Sequence, residues 1–426
     1  MNKINKNKVL AVLFLLIIGF FSILPSAEVG MKVLGKFSKK VSAVEVTKTN
    51  TNNLNAESEP TDNKKNNNKT ISKKLKNTIR KIDNIYNENI FQKSSFIEIN
   101  GYFQKLMGKN VIDNGDGTRV IKDNNNYLHY GLMVNPLYVT NQAKNISNLN
   151  DFCKNEDIKF MYVQAPFKVN GEEGQLPIGV NDYSNNAADD LLQKLKDKNV
   201  EYLDLRESIK EDSLTYEDIF FKTDHHWTLD SAFWAYNKIT DKLSSTYDLE
   251  FDDKYINVNN YNSILLKKSF VGSQGIRVGK YYTDIDDVKY YTPKFDTNLT
   301  YSLFRPNGDL VMKNTGDFSN SIIDQDRMQS DDVYTSKYDA FLRTNNEIHI
   351  VNNNADNDKK ILFIKDSFAR PVASYMSLNY KETRLLDLRN YKGSTYEYIK
   401  EYNPDVVIML YNARMLKNKF MFNFNN

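Results

Sequence analysis

The chain has 426 residues, with 57 Lys and Arg against 54 Asp and Glu, a net charge of +3. A balance this close to neutral, with no basic stretch interleaved with aromatics in a binding pattern, gives no case for a nucleic-acid partner. The single cysteine, Cys153, rules out an intramolecular disulfide framework, and with only four histidines (His129, His225, His226, His349) an adjacent pair carries information.

In chain order, Lys3, Lys6 and Lys8 precede Val9 to Leu24, sixteen residues without a charge, and then Pro25-Ser26-Ala27. This is the layout of a secretory signal peptide or an uncleaved signal anchor. Pro25 inside the candidate cleavage site favours retention, so residues 1–27 are expected to hold the protein to the membrane outside the cytoplasm, or to release it as a secreted protein if cleaved. Residues 28–94 read as a tether. Thr47 to roughly Lys74 is Asn/Lys/Thr-rich and nearly without apolar residues, so it lacks the surface to order itself. Thr61 to Lys76 carries six lysines against one aspartate, a solvated charge run or a contact with an anionic surface.

From about residue 95, short apolar runs alternate with helical periodicity. The pattern predicts strands over Lys159–Val163, Val200–Leu205, Lys360–Ile364 and Val406–Leu410, and helices over Ala187–Lys198, Thr228–Leu243 and Thr395–Tyr402. Such alternation predicts an α/β sheet flanked by helices, with ligand chemistry at the carboxyl ends of the strands. Residues 246–351 are Tyr-, Asn- and Asp-rich with scattered strand signals, and read as a β-rich insertion forming one wall of a substrate groove. The 27 Tyr and 24 Phe suit either an aromatic core or surfaces that stack on sugar rings.

Two segments supply an acid, a base and a nucleophile: Phe221-Lys-Thr-Asp-His-His-Trp-Thr228 and Ile361-Leu-Phe-Ile-Lys-Asp-Ser-Phe-Ala369. A serine hydroxyl is a poor nucleophile at neutral pH until an imidazole can take its proton, and a carboxylate orients that imidazole. Ser367 is the candidate nucleophile, His226 the base and Asp224 its orienting partner. In an extended segment the spacing of two sets Asp224 and His226 on one side, with His225 pointing elsewhere. Two other readings compete. An Asp-Ser pair after a strand is often a helix N-cap, and Asp-His-His also occurs in metal-dependent phosphoesterases, although His129 and His349 sit in ordinary contexts that supply no further ligands. No metal and no cofactor is expected.

Lys222-Thr-Asp-His-His-Trp-Thr228 with Ile364-Lys-Asp-Ser-Phe368 resembles the DHHW family of SGNH-hydrolase-like proteins, relatives of the alginate O-acetyltransferases, whose matching motif reads Asp-x-His-Trp. Phe160–Lys168 with its Pro-x-Lys loop, Val200–Arg206, Ser269–Gly279, Leu386–Tyr391 and Pro404–Asn412 resemble further family blocks, so the likeness runs from about residue 95 to the end. It implies an extracytoplasmic serine enzyme that handles acyl groups on a cell-surface polysaccharide beside a multi-span membrane acyltransferase that supplies the acetyl group. It also implies the roles of Asp224, His226 and Ser367. His225 stands where the alginate enzymes have a non-histidine residue, which leaves the choice of base between His225 and His226 open to the motif. The Ser367 N–H, Asn412 and Gly272 are candidate oxyanion donors, and Lys168, Arg389 and His225 candidate substrate contacts. The function expected is O-acetyl transfer to a polysaccharide. A carbohydrate acetylesterase with the same triad, or a non-catalytic polysaccharide-binding scaffold, are the alternatives.

Overall fold

The computed structural model describes residues 93–114, 118–172 and 174–425. The apolar run at Val9–Leu24 and the Asn/Lys tether lie outside the described residues. Within them, no helix is long and apolar enough to cross a membrane.

The strands that carry the fold are those whose side chains are buried on both faces, as near-continuous apolar runs require. After a helix at Lys93–Leu106 come β1 (Val111–Asp113), β2 (Arg119–Lys122) and β3 (Leu128–His129), which form a small antiparallel sheet. The central sheet then begins with β4 (Lys159–Ala165) and β5 (Tyr202–Asp204). The middle of the chain adds β6 (Tyr261–Phe270), β7 (Asp286–Pro293), β8 (Leu299–Phe304), β9 (Leu310–Gly316) and β10 (Ile348–Asn352). The last three strands are β11 (Lys360–Lys365), β12 (Glu382–Leu386) and β13 (Val406–Asn412). The eight-stranded order is β5-β4-β13-β11-β12-β10-β8-β9. Its first five strands are parallel, and β10, β8 and β9 continue it antiparallel.

Alternate residues of the three central strands serve opposite layers. Met161, Val163, Ile361, Phe363, Ile408 and Leu410 pack beneath the helices Leu229–Tyr247 and Ala369–Met376. Phe160, Tyr162, Leu362, Ile364, Val407 and Met409 face the other way, against Thr140–Asn155, Ser184–Asp197 and Thr395–Tyr402. The result is a helix–sheet–helix sandwich, the mixed α/β sheet flanked by helices that the alternation of patterns predicts.

The predicted strands and helices fall where the structure has them, with ends shifted by a few residues. Val200–Leu205 contains only the short strand Tyr202–Asp204, because Leu205 already opens the next helix, whose first turn is capped by Asp204. The segment 246–351 is not one separate insertion. Only β6 and β7 form their own two-stranded sheet, whereas β8, β9 and β10 pair onto the central sheet through β12. The alternating burial of β8 and β10 gives those two strands one face to the core, and such half-buried strands extend a sheet edge that would otherwise be left open at β12. Because Phe363 is fully enclosed at the centre of this sandwich, Phe363→Ala should lower unfolding free energy by about 3–5 kcal/mol, read as a shift of the denaturant midpoint at unchanged slope.

Candidate active site

Strand β11 runs parallel beside β13, with Ile364 opposite Met409 and Lys365 opposite Leu410. The two chains therefore leave the sheet together, and Ser367, just beyond β11, and Asn412, the last residue of β13, are neighbours at its carboxyl edge. Asp366 pins both exits: its Oδ1 accepts the Phe368 N–H and its Oδ2 the Asn412 N–H, each at 2.8 Å. Ser367 is not a helix cap. The residue before helix Ala369–Met376 is Phe368, which makes no side-chain capping bond, so the hydroxyl of Ser367 is left for other work.

That hydroxyl meets His226, with Oγ 2.7 Å from Nε2. On the other side of the ring, Nδ1 lies 2.6 Å from Asp224 Oδ1, which also accepts the His226 backbone N–H at 2.9 Å. The second carboxylate oxygen accepts the Ser273 N–H at 2.6 Å. Burial alone would raise the Asp224 pKa, but the imidazoles of His225 and His226 and the N–H of Ser273 hold it well below the ordinary carboxylate range. Asp224 is thus ionised and holds the Nδ1 edge of His226, while the Nε2 edge of the same ring faces the Ser367 hydroxyl.

Asp224 and His226 do meet, but not because the segment is extended. Bridge pairing of Phe220 with Trp227 closes residues 221–226 into a tight loop, and one carboxylate oxygen clasps both the backbone and the ring two residues on, as an Asx turn does. His225 consequently does not point away. Its ring lies over that of His226 at 3.7 Å between centroids, its Nδ1 is 2.8 Å from Ser273 Oγ, and one edge reaches the cleft. Enclosure, and the neighbouring His226, pull its pKa well below 6.5. Of the two rings it is His226, not His225, that touches both Ser367 and Asp224. Asp224, His225 and His226 offer ligand atoms within 4.8 Å of one another, yet both ring nitrogens of His226 are already engaged by Asp224 and Ser367, so a metal there would displace the serine contact.

A residue without a motif completes the site. Tyr338 stacks flat on the far face of His226, 3.8 Å away and tilted by 9°, so the imidazole is held between two rings. Its hydroxyl donates to the Ser367 carbonyl at 3.0 Å and accepts from Trp227 Nε1 at 3.2 Å, tying the motif tryptophan to the nucleophile turn. Nothing in the local sequence around Tyr338 marks this role, since it arrives from the segment between β9 and β10.

The remaining candidates separate. Asn412 lines the cleft; its Oδ1 accepts the Arg414 N–H at 2.9 Å, and its Nδ2 and the Ser367 N–H have no partner among the described residues. Gly272 is no oxyanion donor: its N–H is spent on Thr223 Oγ1 at 2.7 Å, and it stands behind Asp224, where a Cβ would come within 2.2 Å of the Asp224 Cβ. It must be glycine because the loop passes that close. Lys168 is no substrate contact either. It is buried beneath the loop, donating to the carbonyls of Lys222 (2.9 Å) and Asp224 (2.8 Å) and to Gln274 Oε1 (3.1 Å). Asp286 does the complementary work, accepting the N–H groups of Lys222 and Thr223 at 2.7 and 2.9 Å. Arg389 reaches the cleft but grips Asp387 with Nε at 2.8 Å, and Asp387 also binds the buried Lys365.

The cleft over Ser367 encloses about 570 Å³, and most residues around it are of polar type, among them Ser336, Asp339, Asn345 and Arg370. Phe270, Ser273 and Ser336 of the middle segment are among its lining residues.

A family model described as an SGNH hydrolase-like domain of the acetyltransferase AlgX matches residues 133–259, a stretch holding β4, β5 and the Asp224–His226 loop. The chain has the SGNH hydrolase-like fold. PatB1 of Bacillus cereus is 27% identical, with a TM-score of 0.60 over 72% of this chain and all of that one. The same protein bearing a sulfonyl adduct aligns at 26% identity and a TM-score of 0.61, covering 72% of this chain and 99% of that one. A DHHW family protein from Eubacterium siraeum shares the fold at 17% identity and a TM-score of 0.54, covering 74% and 98%. No curated protein matches. The resemblance read from the motifs, to SGNH-hydrolase-like proteins, is thereby shown, and the matching family model is that of an acetyltransferase domain.

Burial holds the Lys168 ammonium down to about 7, from an ordinary 10.5. Between those two values the unfolded chain keeps a proton that the folded domain has released, so Lys168 makes stability rise with pH across that window. The unfolding free energy of the unaltered protein minus that of Lys168→Met should therefore increase from pH 7 to pH 10 in denaturant titrations, and a flat difference would show that Lys168 titrates normally.

Proposed function

We propose that this protein is a serine-dependent O-acetyltransferase acting on a cell-surface or secreted polysaccharide. The observation that carries the reading is the continuous contact Ser367 Oγ–His226 Nε2, His226 Nδ1–Asp224 Oδ1, at 2.7 and 2.6 Å, opening on a polar cleft. The likeness to an acetyltransferase domain supports the acyl chemistry, and the sulfonyl adduct of the similar PatB1 accords with a nucleophilic group, because a sulfonyl centre is captured by a nucleophile.

In the reaction, His226 Nε2 takes the Ser367 proton as Oγ attacks the carbonyl carbon of an acetyl ester. The Ser367 N–H and Asn412 Nδ2 face the negative charge that develops on the carbonyl oxygen. Collapse expels the donor's alkoxide, which takes the proton back from the His226 imidazolium, and leaves acetyl-Ser367. A sugar hydroxyl then enters, gives its proton to His226 and attacks the acetyl carbon, and Ser367 leaves with that proton. Asp224 stays ionised throughout and stabilises the imidazolium, as do the faces of Tyr338 and the neutral His225 stacked against it. Water entering in place of the sugar makes the same machinery an esterase, so the direction is set by the occupant of the cleft.

We place the enzyme outside the cytoplasm, held to the membrane by residues 1–27 and reaching its polymer through the Asn/Lys-rich tether. Acetyl-CoA is absent there, so a membrane-spanning acyltransferase would supply the acetyl group.

On 4-nitrophenyl acetate, Ser367→Ala and His226→Ala should each remove turnover, and the double variant should lose little more than either alone, because the two act as a unit. Asn412→Ala should lower kcat by roughly 10²–10³-fold, and His225→Ala far less. Full activity in Ser367→Ala sinks the assignment. In the producing cell, deletion of the chain should lower the acetyl content of a surface polysaccharide, whereas a rise would mark an esterase and no change would leave a binding role.

A further inference from the structure

The arginines of the Ser367 cleft are not equivalent. Arg370 is paired with Asp339 and Arg389 with Asp387, so each positive charge is answered inside the protein. Arg414 also lines this cleft, yet its guanidinium makes no hydrogen bond and no ion pair among the described residues. It is only half-buried, but it is not loose. The guanidinium carbon lies 4.7 Å from the centroid of the Tyr130 ring, and the group packs so tightly on the backbone of Gly131 that a Cβ there would sit 2.4 Å from it. Gly131 holds φ +66°, a conformation that favours glycine. The chain thus keeps a residue without a side chain, in a left-handed turn, where the guanidinium rests.

Five donors held in place with no acceptor among the described residues imply an acceptor from outside. The location says which. Arg414 and Tyr130 also line a second cleft, of about 590 Å³, between the small β1–β3 sheet and the loop around Gly179–Asn181, with Arg119 and Arg277 on its walls and no carboxylate among its described lining residues. Arg277 also lies over the Tyr130 ring, 5.5 Å from its centroid. The Tyr130 hydroxyl is 3.4 Å from His225 Nδ1, so the shared wall stands next to the triad. The oxyanion already has the Ser367 N–H and Asn412 Nδ2 to face it, which leaves Arg414 for a charge on the acceptor.

We infer that Arg414, set on Tyr130 and Gly131 at the junction of the two clefts, binds an anionic group, a carboxylate or a phosphate, on a sugar next to the one whose hydroxyl meets Ser367. The acceptor is then an anionic polymer, and Arg414 is what distinguishes it from a neutral one. This rests on the transferase reading above and specifies its substrate class.

Binding can be measured apart from turnover, in the full chain carrying Ser367→Ala, by calorimetry with three probes: tetragalacturonate, a mannotetraose phosphate ester and a neutral galactan tetrasaccharide. At least one anionic probe should bind ten or more times tighter than the neutral one, since a charge-assisted bidentate contact contributes about that much. That preference should weaken with added salt, disappear in Arg414→Gln, and be partly kept in Arg414→Lys, which retains the charge without the fork. The tighter of the two anionic probes identifies carboxylate or phosphate as the group read. Equal binding of all three, binding of none, or an unchanged preference in Arg414→Gln overturns the inference. The serine reading is judged separately, by hydrolysis of 4-nitrophenyl acetate by the unaltered chain, in which no anion takes part.

Discussion

The parallel pairing of β11 with β13 is the constraint on which the site depends. Both strands are buried on both faces, so their register is fixed by two hydrophobic layers at once, and a slip of one residue would exchange the layers. That rigidity brings Ser367 and Asn412 out side by side. Asp366 then converts two loose chain exits into one rigid edge, a buried carboxylate whose own pKa burial raises but whose oxygens are satisfied by N–H groups from each exit.

His226 comes to this edge on a loop rather than a strand, and the loop is held from beneath by opposite charges that work on the main chain. Lys168 takes its carbonyl groups and Asp286 its N–H groups, an arrangement that satisfies buried backbone without regular structure. Gly272 allows the next segment to close against Asp224. Above, the imidazole sits between His225 and Tyr338. The ring of His226 is therefore restrained in its plane by stacking and about its axis by hydrogen bonds, which is what proton transfer over a 2.7 Å contact needs.

The charges around the cleft follow the same logic with one exception. Lys365 and Arg389 share Asp387, and Arg370 has Asp339, so these cations hold the walls. Among the described residues, Arg414 is the arginine of this cleft positioned by an aromatic face and a glycine instead of by a carboxylate, which leaves its hydrogen-bonding capacity for a ligand.

The sandwich, and Asp224, His226 and Ser367 as candidate residues, are legible in the amino-acid sequence alone. Strands buried on both faces must be apolar throughout, so Lys360–Ile364 and Val406–Leu410 are visible as runs, and helices such as Thr395–Tyr402 show their period and caps. With so few histidines, the pair after Asp224 and the serine after β11 stand out for chemical reasons alone. What a local pattern cannot encode is which way a compact loop turns or what arrives from elsewhere. The tertiary structure decided that His226 is the ring between Ser367 and Asp224, that His225 stacks instead of pointing away, and that β8–β10 extend the sheet. It also decided that Lys168 and Gly272 serve the loop and not the ligand, because burial and close approach depend on residues distant in sequence. Tyr338 and Arg414 carried no motif, since a stacking face and an unanswered charge exist only once their neighbours are in place.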